Sequence, residues 1–109
     1  MHNLESALAF ANYQSTLTQQ KKVIKQQFKD NCVLAYNGGL FFITPEFIAG
    51  MAFGNADWVI DMNGNPIKID VRKDFVDLAT KTYNVAVCKY GEAYSQLKTQ
   101  RSVKSLVGI

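Results

Sequence analysis

Apolar residues recur at helical spacing through the first thirty positions: Phe10, Tyr13, Leu17, Ile24 and Phe28 fall on one stripe, which Gln20 interrupts. That spacing predicts a long amphipathic helix. A second set, Leu4, Ala7, Leu8 and Ala11, lies partly off the stripe, so the first half of this helix is apolar over a wider arc and is expected to meet more than one neighbour. From Asp70 to about Leu106 the pattern returns with Phe75, Leu78, Ala79, Tyr83, Ala86, Tyr90, Ala93, Tyr94 and Leu97. Asp70 is expected to cap this second long helix.

The middle of the chain changes period. Cys32 to Tyr36 and Leu40 to Ile43 flank Asn37-Gly38-Gly39, and Trp58 to Asp61 and Ile67 to Ile69 flank Asn63-Gly64-Asn65. Asn and Gly accept the positive φ of tight turns, so both segments read as β-hairpins. The first glycine pair is not a phosphate loop, because a β-branched and aromatic strand follows where a Lys-Ser or Lys-Thr pair and a helix should stand. Thr44, Pro45 and Glu46 form a helix start, with Phe47, Ile48 and Met51 as its apolar face and Gly54 as its stop. The expected architecture is a single α+β domain over residues 1–109. Two long antiparallel terminal helices hold two β-hairpins and a short helix between them. If Lys29 meets Arg72 across the hairpin end, residue i lies opposite residue 101 − i, which sets Phe10 against Gly91.

Composition adds exclusions. With 48% hydrophobic and 19% charged residues, the 109-residue chain is ordinary globular material. No run reaches the roughly 20 apolar residues of a membrane span, and no signal-peptide pattern opens the chain, so a soluble, intracellular, non-secreted protein is expected. Two cysteines at this separation make neither a metal site nor a disulfide framework and are expected to be free and buried. Asp61 to Asn65 alternates oxygen ligands like the start of a calcium loop. Its glycine is two places early, however, and Arg72 occupies the position of the bidentate Glu. His2, the one histidine, is a poor partner for Cys32 or Cys88, and Asp57, Asp61 and Asp70 read as turn and edge residues rather than an acid–base pair. No catalytic residue, metal or cofactor is expected.

Charge is uneven along the chain: net +2 over residues 1–30, −3 over 31–70 and +4 over 71–109. Lys21, Lys25 and Lys29 form one helical stripe, and Lys98, Arg101 and Lys104 another. Such stripes attract nucleic acid, but no aromatic residue on the stripes interleaves these lysines to stack bases, so solvated helix faces are the reading taken and nucleic-acid binding is the alternative. The first hairpin carries no polar side chain outside its turn residue Asn37. Both of its faces are therefore apolar, where a half-wet strand would alternate. This marks Leu34, Tyr36, Phe41 and Phe42, with Leu4 and Leu8 of the first helix, as candidate interface residues.

The segments NLESALAFANYQSTL, GGLFFITPEFIAG and YSQLKTQRSVKSLV resemble small uncharacterised proteins encoded by tailed bacteriophages of marine cyanobacteria and related marine hosts. That resemblance implies a viral accessory or structural protein in the host cytoplasm or the virion. Its partner would be another viral protein or a further copy of the chain, and the resemblance supplies no catalytic residue. The order of elements is also similar to that of prefoldin subunits, at the level of fold layout alone. The expected role is a non-catalytic interaction or structural protein that works through an oligomeric interface.

Overall fold

The computed structural model describes the backbone over residues 2–106 and the side chains over 7–11, 13–14 and 16–100. Seven elements follow in order: α1 (His2–Asn31), β1 (Val33–Tyr36), β2 (Gly39–Phe42), α2 (Pro45–Phe53), β3 (Trp58–Ile60), β4 (Pro66–Lys68) and α3 (Arg72–Leu106). The protein is α+β and mostly helical, with the long helices α1 and α3 packed antiparallel and bracketing two small antiparallel sheets.

Local chemistry accounts for the elements. Between β1 and β2, Asn37 and Gly38 have φ of 48° and 80°, the two positive values that a two-residue hairpin turn requires. Pairing of Tyr36 with Gly39 and of Val33 with Phe42 fixes the register. Thr44 caps α2 by accepting a hydrogen bond from the Phe47 N–H at 3.0 Å, and Pro45 takes the first helical position. Asp70 does not cap α3. That helix starts one residue later, with the Phe75 N–H bonding to Val71 O, while the Asp70 carboxylate accepts from Asn37 Nδ2 at 3.1 Å. A long-range bond across the two hairpins thus takes the side chain that the local pattern assigns to the cap.

The core lies in a head formed by the hairpins, α2 and the first part of α3. Phe75 and Ile43 are fully enclosed, and Leu34, Phe41, Met51, Ile69 and Ala79 pack with them. Phe75 is the hub. Its ring meets Phe41 at 5.2 Å, Tyr36 at 4.8 Å and Phe47 at 6.0 Å between centroids, all edge-on. Edge-to-face pairs add about 0.5–1.5 kcal/mol each beyond burial. Three of the expected interface residues, Leu34, Tyr36 and Phe41, therefore belong to this core. They point inward because strand alternation sends them to the face that α2 and α3 already cover.

Beyond the head, α1 and the second half of α3 run together as a stalk. Phe28 stacks on Tyr90 at 4.9 Å and meets Tyr83 edge-on at 6.2 Å. Phe28 is thus level with residues 83–90 rather than with residue 73, which removes the register that set Phe10 against Gly91. The physical reason is that β1 travels back along α3, from Phe28 beside Tyr83 to Tyr36 beside Phe75, before the chain turns. Gly91 is exposed, and a Cβ built there meets nothing within 4 Å; Phe10 is exposed as well. The molecule measures 68 × 24 × 20 Å with a radius of gyration of 20.4 Å, against about 13 Å for a compact domain of this length. An elongated shape leaves much helix surface without a partner within the chain.

Candidate functional site

The two hairpins meet at a seam. On the side of β2 away from β1, the Leu40 N–H donates to Asp61 Oδ2 at 3.1 Å and Leu40 O accepts from the Met62 N–H at 2.8 Å. Asn37 Nδ2 also donates to Lys68 O at 3.0 Å. Gly39 allows the close approach: a Cβ there would stand 2.5 Å from Ile67 Cγ1. Asp61 is the buried clasp of this seam, since its other oxygen accepts from the Asn65 and Asn63 N–H groups at 2.8 and 3.0 Å. The bonds from the Asn65 and Leu40 backbones hold its carboxyl below the ordinary value against the opposing effect of desolvation, and the Asn63 bond adds to them. An aspartate followed by asparagines two and four places on thus forms an Asx-type turn that binds its own backbone. Among the described residues no cluster of histidine, cysteine or carboxylate side chains could hold a metal ion.

The seam joins two separate two-stranded sheets, each with a face toward the core and a face away from it. The inner faces, with Leu34, Tyr36, Phe41, Val59 and Ile67, sit on α2 and α3. On the outer faces, Val33, Ala35, Leu40 and Phe42 come from the first hairpin, and Trp58, Ile60, Pro66 and Lys68 from the second. Only Lys68 is polar. Phe42 retains 41% of its surface, Trp58 57% and Ile60 62%. Met62, also exposed, stands at the seam. Phe42 is thus the member of the expected hairpin set that faces outward. Leu8 is exposed on α1, far from the hairpins in sequence, and the Leu4 side chain lies outside the described residues. The pairing of Trp58 with Lys68 and Ile60 with Pro66 could have been read from the alternation within 58–60 and 66–68.

The stalk carries two depressions, one on each side of the α1–α3 pair. One, of about 420 Å³, has an apolar floor of Val23, Ile24, Ala93 and Leu97 and an uncharged rim of threonine and glutamines. The other, of about 220 Å³, is lined by Thr18, Lys21, Lys22, Ile24 and Lys25 of α1 and by Tyr90 and Tyr94 of α3. Aromatic rings therefore do stand beside the lysines. They come from the other helix, which a reading along one sequence stripe misses. Lys29 and Lys98 are exposed on the same two helices, while the Arg101 and Lys104 side chains lie outside the described residues. Charge segregates with shape. Residues 7–31 and 86–100 hold six basic and two acidic groups (net +4), whereas residues 32–85 hold four basic and six acidic (net −2).

Both cysteines are free. Cys32 is buried, and burial pushes its thiol up from the ordinary value, which removes nucleophilic character at neutral pH. Cys88, expected inside, is exposed. Of its neighbours only Ala86 is buried, because α3 presents Tyr83, Ala86, Tyr90 and Ala93 to α1 and turns Val85, Val87 and Cys88 outward. No helix among the described residues is long and apolar enough to cross a membrane. No protein-family model matches this chain, and neither a curated protein nor a solved structure is significantly similar to it.

Proposed function

We propose that this is a non-catalytic interaction protein that self-associates through the outer face of its hairpins, the likeness to phage proteins making a virion or an infected host cytoplasm its setting. The observation that carries this reading is the group of exposed apolar side chains Leu40, Phe42, Trp58, Ile60 and Met62 on two hairpins that meet at one seam. Isolated apolar side chains on a surface need no explanation, but a group of them at one seam does. A second copy of the chain is the occupant we favour. The face is almost uncharged, so it can meet its own image without repulsion, and two-fold dimers are the commonest closed assembly. The apolar character of the face suits recognition of another apolar surface.

The test is molar mass by light scattering, alongside the thermal transition, for wild type, Phe42→Lys and Trp58→Lys. Wild type is expected to be a dimer, and each variant a folded protein whose dimer dissociation constant rises at least about thirtyfold, the effect of losing a central contact. A monomeric wild type at high concentration would reject the second copy as occupant and leave a different protein as the partner. Dimers undisturbed by both substitutions would move the interface elsewhere.

A further inference from the structure

We infer that the cleft between α1 and α3 bounded by Lys21, Lys22, Lys25, Tyr90 and Tyr94 is a binding track for single-stranded nucleic acid. One wall is cationic. Lys21 and Lys25 stand one helical turn apart, with Lys22 beside them, a spacing of about 6 Å along the axis. The other wall is aromatic. Tyr90 and Tyr94 are likewise one turn apart, and Lys98 continues the same face a turn further on. Tyr90 is held by its stack on Phe28, 4.9 Å away with 28° between the rings, so its orientation is fixed before any ligand arrives. Tyr94 is 42% exposed and offers a ring to a base.

Among the described residues of the stalk, the acidic side chains Asp30 and Glu92 do not line this cleft. Asp30 is engaged by Gln26, whose Nε2 donates to it at 2.9 Å. The lysines are therefore left to an external anion. Cations that track a backbone beside rings that stack bases are the pattern of sequence-tolerant single-strand binding. A duplex hides its base faces and would use the lysines alone, and so would an acidic peptide. An open cleft of about 220 Å³ is also smaller than the roughly 300–1,000 Å³ of small-molecule sites. It suits one unit of a polymer passing through better than an enclosed metabolite.

The experiment is fluorescence anisotropy of a labelled oligothymidylate of about 15 nucleotides, within the usual range of site sizes, with the full chain over a salt series. Saturable binding is expected. Replacing Lys21, Lys22 and Lys25 together by Gln should lower the slope of log affinity against log salt by about 2, at about 0.7 per phosphate of a single strand. Tyr94→Ala should weaken binding about tenfold without changing that slope, whereas Tyr94→Phe keeps wild-type affinity. All four side chains are exposed, and unchanged thermal transitions would show that the variants are folded. Phe42→Lys, in the head, should bind as wild type, which separates this track from the self-association face. Three results would overturn the inference: absence of binding at low salt, a Tyr94→Ala variant indistinguishable from wild type, or polyglutamate or duplex competing as well as unlabelled oligothymidylate.

Discussion

Replacing Gly39 by Ala tests the seam between the two hairpins. Gly39 has no positive φ, so the backbone itself accepts alanine, and in open space the substitution would stabilise by about 0.4–1 kcal/mol through the unfolded chain. The seam reverses that sign. The new methyl would lie 2.5 Å from Ile67 Cγ1, 2.9 Å from Ile67 Cδ1 and 3.2 Å from Phe41 Cε2. Phe41 is enclosed and cannot give way. Cγ1 sits near the root of the isoleucine, so a rotation of its far end does not clear the contact. Overpacking of this kind costs about 1–3 kcal/mol. At roughly 2.1 cal/mol/K of unfolding entropy per residue, each kcal/mol lowers Tm by about 4 °C, so a fall of about 4–12 °C is expected. Ile67→Ala removes both Ile67 atoms, and in that background Gly39→Ala should cost close to nothing. The double-mutant cycle is then expected to return a coupling of about 1–2 kcal/mol. A Tm that rises, or an equal cost in both backgrounds, would refute the close approach of the two hairpins.

Three further outcomes follow from the packing. Gly91→Ala should stabilise by about 1 kcal/mol, because glycine costs that much inside a helix and no atom opposes the added Cβ; a loss on thermal melting would restore a close neighbour at this position. Gly91→Leu should likewise not destabilise, the opposite of what a register with Phe10 facing Gly91 requires. For Asp61, the native carboxyl titrates below its ordinary value, so its contribution is complete above the ordinary carboxylate range and is lost as pH falls through the native value. Asp61→Asn should therefore melt below wild type at pH 7, with the gap closing as pH falls below the ordinary carboxylate range and through the native value; a constant gap would show that the ionised form contributes nothing.

The elements were legible because each is specified within a few residues. Asn37-Gly38 can supply two positive φ values, Thr44-Pro45-Glu46 builds a helix start, and the 3.6-residue repeat of α3 runs from Phe75 to Leu97. What could not be read is how far one element slides along another. A helical stripe states which residues face a neighbour, yet Phe28 could meet residue 73 or residue 90 with equal satisfaction of the pattern. The choice is made by β1 doubling back along α3, a tertiary event without local signature. The same gap explains the interface residues. Alternation divided Leu34 and Tyr36 from Val33 and Ala35, but nothing within the first hairpin told which pair would be covered by Phe75. Asp70 failed as a cap for a related reason, since Asn37, 33 residues away, competes for its carboxylate.

One proposed surface lies on the head and the other on the stalk of an elongated molecule, and the shape itself links them. An apolar face on the head, buried by a second copy, leaves the basic stalks of both copies free. Each stalk then presents its own cleft with net positive charge, and two clefts on one dimer would engage a single strand with an effective concentration set by the rigid distance between them. Affinity for long strands should therefore exceed that for short ones by more than the count of sites, and only while the head face is intact. Phe42→Lys separates the contributions: it should leave affinity for an oligonucleotide short enough to fill one cleft unchanged and remove the extra affinity for one long enough to reach two. If length has no effect on wild type beyond statistics, the head and the stalk serve separate partners, and the segregation of net −2 in the head from net +4 in the stalk serves only to keep the strand off the apolar face.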